Sequence, residues 1–536
     1  MTDPQLYEQP DVYKRRWFML GVLCLSLVMV VMAVAGLNNT LPTLQRDLGA
    51  GPTMLQWIVD SYALVFAGLL LSAGALGDRF GRKGALLTGL AVFGAGALVS
   101  GLAQSASVVV AGRAVQGIGA ALVMPATLSL ITSIFPPEER QKAIAVWVGF
   151  AGAGGALGPV VSGALLEHFW WGSAFLINLP VVALTAAAVA LYSPRSRDPE
   201  ATPLDPRGAL LSLVGLAALL FGIIEGPERG WTEPGVLLAF VAAAILLYVF
   251  VRWERVAPHP MLPMRLFADR RFSVGSGVIT TAFFMLFGFF FVFVLFMQFA
   301  RGYSPLGAGI AMLPMPATFL VASPRSAAVA ERLGNGRTIG LGMLIMAVGL
   351  GIFSLISVSS PYLVLALAMV VMAAGASITM APATANIMSA VPMAKAGVGS
   401  AVNDTTRELG GALGIAVSGS LASAAYRGSI DLGGLGLPAS AAAQAEDSVG
   451  AATEVANSTG GEIGATILQR AGDAFTDAFA LTTTISAVIA VAAAFIVVRT
   501  FTQAKERRAA ERSTVGEASS LGESWALEAA AGAAAD

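Results

Sequence analysis

The sequence predicts an all-α membrane protein of fourteen transmembrane helices, built as two matched bundles of six with two helices inserted between them. Three observations carry that prediction. Hydrophobic residues make up 56% of the 536 and charged residues only 12%, against about 25% charged in a soluble domain. Apolar runs of about 20 residues, long enough to cross a bilayer core as helices, recur along the whole chain. Finally, Gly154-Gly-Ala-Leu-Gly158 returns letter for letter as Gly410-Gly-Ala-Leu-Gly414, an offset of 256.

In chain order, 1–16 reads as a cytoplasmic segment, and the first six spans are expected at 17–41, 54–75, 84–103, 107–134, 141–164 and 172–193. Two more, at 207–226 and 234–253, lie between polar linkers and form the insert within 194–272. The last six are expected at 273–297, 306–328, 337–357, 361–389, 396–424 and 476–500. The bundles are thus 17–193 and 273–500, and the Ala-rich tail 501–536 reads as disordered. The first apolar run is too long for a cleavable signal and should remain as an anchor.

Basic residues test this count. With both termini in the cytoplasm, only Arg46, Arg229, Arg301, Arg427 and Arg470 of the 32 Lys and Arg fall outside, and Arg113 and Arg407 lie within spans. The rest gather at cytoplasmic loops and span ends, as the positive-inside rule demands. A wrong number of spans would scramble that bias.

The repeat extends beyond one match. Gly74-Ala-Leu-Gly-Asp78-Arg79-Phe-Gly81-Arg82-Lys83 has a weaker copy at Glu331-Arg332-Leu-Gly334-Asn-Gly336-Arg337, and Pro136 returns as Pro392. Internal symmetry in a membrane chain marks transporters. The scaffold repeats, but its charges do not. Arg113 maps near Val370, while Asp404, Arg407 and Glu408 map onto Val148, Ala151 and Gly152. Ionised groups inside a span cost about 2.5–3.5 kcal/mol on insertion scales, so they mark pathways more often than packing.

These charges form two groups. Asp60 and Arg113 should lie at similar depth in spans 2 and 4, either as a fixed pair or acting singly. Asp404 and Glu408, spaced i, i+4, share one face of span 13 with Arg407. Two carboxylates that close resist ionising together, so one should hold a proton until a cation arrives. Asn38, Trp57, Tyr62, Phe66, Trp147, Phe150, Asn403, Asp404 and Arg407 are candidate cargo contacts, because aromatic faces attract organic cations. Charges in the Asp78–Lys83 loop can pair in one conformation and part in another.

The stretch 426–475 reads as a long external loop. With flanking residues it carries Asp431, Glu446, Asp447, Glu454, Glu462, Asp473 and Asp477 against Arg427 and Arg470. It is read either as a cap that concentrates cations or as a solvated acidic hairpin. Cys24 is the only cysteine, which excludes a disulfide and a thiolate metal site. No metal-ligand cluster, nucleotide-phosphate loop or nucleophile–base pair is visible, so an enzyme is not expected.

Gly74-x-x-x-Asp78-Arg79-x-Gly81-Arg82-Lys83 resembles the signature loop of the major facilitator superfamily. Arg113-Ala-Val-Gln116-Gly117-Ile-Gly119 resembles its second motif, and Gly154-x-x-x-Gly158-Pro159-x-x-x-Gly163 the motif of its antiporters. With fourteen spans and Trp57-Ile-Val-Asp60-Ser-Tyr62, the chain resembles the fourteen-helix drug:proton antiporters, nearest the pumps for quaternary ammonium compounds. The resemblance implies an inner-membrane exporter that swaps protons for amphipathic, chiefly monocationic cargo by alternating access. Asp60, Arg113, Asp404 and Glu408 would couple protons, and Pro159 would help seal the cavity. Expected partners are cargo, protons and lipid, with no nucleic acid, no cofactor beyond the proton gradient, and a monomeric state. Other readings are export of an endogenous lipid, siderophore or metabolite, and a sensor or scaffold that moves nothing. The pattern departs from the family at Ala33 and Phe319, where such pumps carry acids. That departure points away from divalent cations.

Overall fold

The computed structural model describes residues 6–48, 52–196 and 205–532. Among them, fourteen helices are long and apolar enough to cross a membrane. Spans 1 to 6 are Pro10–Ala35, Trp57–Phe80, Arg82–Gly101, Ala106–Ile134, Pro137–His168 and Ser173–Tyr192. Spans 7 and 8 are Pro206–Pro227 and Pro234–Val256. Spans 9 to 14 are Arg270–Ala300, Leu306–Leu333, Asn335–Phe353, Tyr362–Ala390, Met393–Ser429 and Gly461–Thr500. Each matches one predicted span, and no described residue is in a strand.

Local sequence fixes where the spans start and stop. Spans 1, 5, 7 and 8 open on a proline, whose missing N–H is no loss in a first helical turn. Asp205 caps span 7 by accepting from the Gly208 N–H at 2.9 Å, and Glu233 caps span 8 by accepting from Val236 at 2.9 Å. Spans 2 and 3 are separated by Gly81 with φ 114°, and spans 10 and 11 by Gly334 with φ 79°. Positive φ is open to glycine without steric penalty.

The repeat is physical as well as textual. A methyl group placed on Gly119 would strike the Phe93 backbone and Gly89 carbonyl, joining spans 3 and 4 tightly. A methyl on Gly375 would strike Met346 and Gly342 in spans 11 and 12 in the same way. Gly154 and Gly158 meet span 1 at Val28, Val31 and Met32, while Gly410 and Gly414 meet span 9 at Thr280 and Phe284. Small residues let neighbouring backbones approach closely where lipid gives helices no hydrophobic reason to associate. The halves meet where spans 2 and 4 pack on span 13 and where span 5 packs on spans 10 and 12. Span 7 of the insert touches both span 2 and span 13, so it straddles the two bundles.

Two expectations need correction. The first span ends at Ala35 rather than 41, and a second helix, Leu37–Leu48, follows. Gly36 marks the break, packed so closely that a methyl there would lie 2.9 Å from the Gly158 carbonyl oxygen. The stretch 426–475, expected as a long loop, holds two short helices, and its acids are exposed. Span 13 runs to Ser429, helices Ala439–Asp447 and Val449–Thr459 follow, and the last helix starts at Gly461. Val449, Ala452, Val455 and Ala456 bury the apolar stripe of the second short helix, and the Tyr426 hydroxyl donates to the Ala445 carbonyl at 2.9 Å. The last helix runs on to Gly532, and its side chains from 501 onward are outside the described residues.

Candidate functional site

The site is built from three groups of residues: a contact between the halves, and two buried charged clusters inside the spans. The contact lies at the end of the bundle where basic residues gather. Asp78, on the last turn of span 2, accepts from the backbone N–H groups of Gly397 and Val398 at 2.9 and 3.2 Å. Those amides open the long helix of span 13, whose N-terminus carries the positive end of a helix dipole. Arg82 then binds Asp78 Oδ1 through Nε at 2.9 Å, Ser133 at 2.5 Å, Ser196 at 3.0 Å and the Met393 carbonyl at 2.6 Å. Lys83 donates to the carbonyls of Ala190 and Ser193, each at 2.8 Å. Gly74 permits all of this, because a methyl there would sit 2.5 Å from the Gly397 carbonyl oxygen.

The weaker copy of that loop makes a different contact. Glu331 and Arg332 are exposed rather than bonded across the halves. The residue at Arg82's repeat position, Asn335, donates to Asn386 at 2.5 Å and accepts from Gln141 of span 5 at 3.3 Å. At the offset that pairs Pro136 with Pro392, Ser133 maps onto Ser389, three residues beyond Asn386. At Asn335 a neutral amide stands where the first copy has charge. Arg79 rests its guanidinium 5.4 Å from the Phe80 ring.

The first buried cluster joins spans 2 and 4. Gly117, one turn from Arg113 on the same face, lets span 2 approach; a methyl there would lie 2.7 Å from the Tyr62 carbonyl oxygen. Arg113, 1% exposed, donates to the Ile58 carbonyl at 3.2 Å and to Gln116 Oε1 at 3.2 Å. Its guanidinium lies 4.3 Å from the Tyr62 ring centre, and Tyr62 stacks on Phe66 at 5.6 Å. The cation is thus held by a carbonyl, an amide and an aromatic face. Asp60 is buried two residues before Tyr62.

The second cluster is on span 13, where Asp404 and Arg407 are 1% and 4% exposed and Glu408 is half-buried. Thr384 of span 12 donates to Asn403 Oδ1 at 3.1 Å, and Asn403 donates to Asp404 Oδ1 at 3.3 Å. The Arg407 guanidinium carbon lies over the Trp147 ring at 4.6 Å and over the Phe283 ring at 5.2 Å. Trp147 belongs to span 5, so this stack crosses between the halves. The Trp147 indole N–H donates to Thr127 of span 4 at 3.3 Å, which fixes the ring. Asp404 Oδ2 and Arg407 Nε and Nη2 are buried without a hydrogen-bond partner, and Arg407 forms none of the ion pairs found among the described residues.

Other expected residues are placed as follows. Gly154 and Gly158 press on span 1, and the Pro159 carbonyl accepts from Asn39 at 2.8 Å. Gly163 approaches Leu306 of span 10, within 3.3 Å of an added methyl. Phe319 is 1% exposed and its ring lies against Gly152, with 2.6 Å separating it from an added methyl. Trp57 and Phe150 are 36% and 38% exposed. The Asn38 side chain lies outside the described residues.

Sequence reasoning gave no site role to Phe283, Thr127 or Thr384 and named Gln116 only within the span 4 motif; their signal, small polar or aromatic residues in apolar helices, is common. It also missed two buried acids in the insert. Glu225 pairs with Arg229, and Glu254 accepts from the Leu262 N–H at 2.9 Å. Near the same linker Lys395 donates to the Pro260 carbonyl at 3.1 Å, tying it to the start of span 13. A charge count within the run 207–226 would have flagged Glu225, whereas Glu254 lies one residue past the run 234–253.

Residues 23–415 match the Major Facilitator Superfamily. The chain is 35% identical over 465 residues to the methyl viologen resistance protein SmvA of Salmonella typhimurium, covering 86% of this chain and 93% of that protein. It is 33% identical over 479 residues to the multidrug efflux pump LfrA of Mycolicibacterium smegmatis, covering 89% and 95%. The methylenomycin A resistance protein of Bacillus subtilis is 36% identical over 403 residues, covering 75% and 86%. Among solved structures, the human organic anion transporter MFSD10 superposes with a TM-score of 0.58 at 15% identity, over 90% of this chain and all (100%) of that one. The proton:xylose symporter XylE gives 0.55 at 14% identity, over 89% and 95%. At such identities these two speak for the fold alone.

Proposed function

We propose that this chain, which belongs to the Major Facilitator Superfamily, is a proton-coupled antiporter that exports amphipathic drugs, monocations among them, across the bacterial inner membrane. It is a multi-pass membrane protein and a secondary transporter, not an enzyme. Its relatives along most of its length are drug resistance and efflux proteins, which supports export as the direction and drugs as the cargo.

The observation that carries the coupling is the span 13 cluster. Asp404, Arg407 and Glu408 are charges kept inside a membrane helix against an aromatic ring of the opposite half. Such groups are retained at several kcal/mol, about 2.5–3.5 each on insertion scales, and a carboxylate pair at this spacing exchanges a proton for a cation. Asp60 on span 2 supplies a second exchange point in the other half. Each proton entering gains about 2.3 kcal/mol per 100 mV, so electrogenic export of a monocation takes more than one proton per cycle. Both termini are cytoplasmic in this reading, the gradient replaces any cofactor, and a single chain suffices.

The test is purified protein in liposomes, with an imposed pH gradient and a fluorescent monocation. Proton-driven accumulation is expected, and Asp60→Asn should abolish it at normal protein levels. Cargo movement indifferent to the gradient would overturn the assignment, whereas undiminished pH-dependent transport by Asp60→Asn would rule Asp60 out as an essential carrier.

A further inference from the structure

Arg407 is a cation with an unusual set of contacts. Its guanidinium carbon lies 4.6 Å from the Trp147 ring centre and 5.2 Å from that of Phe283, and hydrogen bonding is left to its edge. On that edge, Nε and Nη2 are the two buried atoms that lack one. These nitrogens form the side of the guanidinium fork that receives both oxygens of a carboxylate in parallel. The neighbouring acids do not fill it. Asp404, three residues away on the same helix, leaves its own Oδ2 without a partner. Its Oδ1 is turned toward Asn403, at 3.3 Å.

We infer that the edge of Arg407 is the docking point for the anionic group of a zwitterionic amphiphile, whose cationic group lies toward Asp404 and Glu408. The inference rests on the export reading and names the cargo class for the same site. The charge pattern decides among cargoes. A simple cation entering here meets a buried guanidinium, and a simple anion meets two carboxyl groups. A zwitterion offers opposite charge to each. Its carboxylate completes the unused fork, and its ammonium favours proton loss from the acids. Proton exchange thereby keeps the same sign as for a monocation.

The probes are N-octyl-N,N-dimethylglycine, its methyl ester and octanoate: a zwitterion, a monocation of nearly the same shape, and a monoanion. Binding to the purified full-length protein is measured by calorimetry without any gradient, below the micellar range. The zwitterion should bind at least about tenfold more tightly than the ester, about 1.4 kcal/mol, and more tightly than octanoate. In Arg407→Gln the zwitterion–ester gap should fall below about threefold. Should that variant fail to elute as a single species, Arg407→Lys, which keeps charge but has no fork, decides by the same ratio. No gap in the unmodified protein, or a gap that survives in the variant, overturns the inference. Failure of a pH gradient to drive any probe would sink the export reading yet leave the gap measurable, so the two failures are distinct.

Discussion

Asp78 and Gly397, 319 residues apart, are joined by a 2.9 Å hydrogen bond from the glycine N–H to the carboxylate. The bond ties the end of span 2 in one bundle to the start of span 13 in the other, and Arg82 braces the same carboxylate at 2.9 Å. The charge serves two partners at once, a helix N-terminus and a buried guanidinium. Replacing Asp78 by Asn keeps the shape but removes the charge. Hydrogen bonds to charged groups contribute about 1.5–3 kcal/mol and neutral ones about 1. The expected loss is therefore about 1–2 kcal/mol of closure at this end, a roughly 5- to 30-fold shift in population. Distances between spin labels on spans 2 and 13, in a Cys24→Ser background, should show a larger open fraction; an unchanged distribution would contradict the latch.

Steric closeness gives a second prediction at the same contact. A methyl on Gly74 would lie 2.5 Å from the Gly397 carbonyl oxygen and 2.8 Å from the Ala401 methyl, whereas one on Gly84 meets nothing within 4 Å. Overpacking costs about 1–3 kcal/mol, while Gly to Ala in an open helical site gains about 0.5–1 kcal/mol. Gly74→Ala should slow cargo uptake by liposomes several-fold. Gly84→Ala should transport normally and melt at the same temperature or higher. Equal behaviour of the two variants would mean that the backbone approach at Gly74 is not limiting.

What was legible in the sequence follows from the range of each signal. Fourteen spans could be read because lipid demands a long apolar run, a property of contiguous residues. The bundle pairing could be read because Gly154 and Gly158 recur as Gly410 and Gly414, and the structure gives both pairs the same work against spans 1 and 9. The stretch 426–475 was misread as a loop because its helices are short and amphipathic, below the length a membrane-span search detects. Gly36 looked like one glycine among 60; its break in the first span depends on Gly158, distant in sequence. Trp147 and Arg407 were both suspected, but their stacking across the halves is tertiary information with no local trace.

That stacking makes Trp147 a support for a buried cation. A desolvated cation–π contact contributes about 2 kcal/mol. Trp147→Leu removes the ring and the bond to Thr127, and should lower the melting temperature in detergent and abolish export. Trp147→Phe keeps a face for Arg407 and loses only the indole N–H bond, about 1 kcal/mol, so it should retain part of the export rate. Thr127→Val should cost Trp147→Phe little more, because the two share one hydrogen bond and their effects are not additive. Equal damage from Leu and Phe would show that the aromatic face is irrelevant.

The final prediction concerns Asp404 and Arg407, three residues apart on span 13, both buried, and with no ion pair to each other among the described residues. In low dielectric, opposite charges interact well beyond hydrogen-bond range. Asp404→Asn should therefore leave Arg407 short of counter-charge, and Arg407→Gln should leave Asp404 beside Glu408 with no cation between them. The double variant is expected to destabilise the protein by less than the sum of the two single variants. Coupling between groups in one network runs at about 0.5–3 kcal/mol, and the double variant should recover that amount in thermal unfolding. Export should not recover with it, because the double variant restores charge balance but lacks both the exchanging acid and the cation beside it. Additive melting shifts would mean the two charges act independently. Recovered export would mean that Glu408 and Asp60 alone are enough to couple protons to cargo.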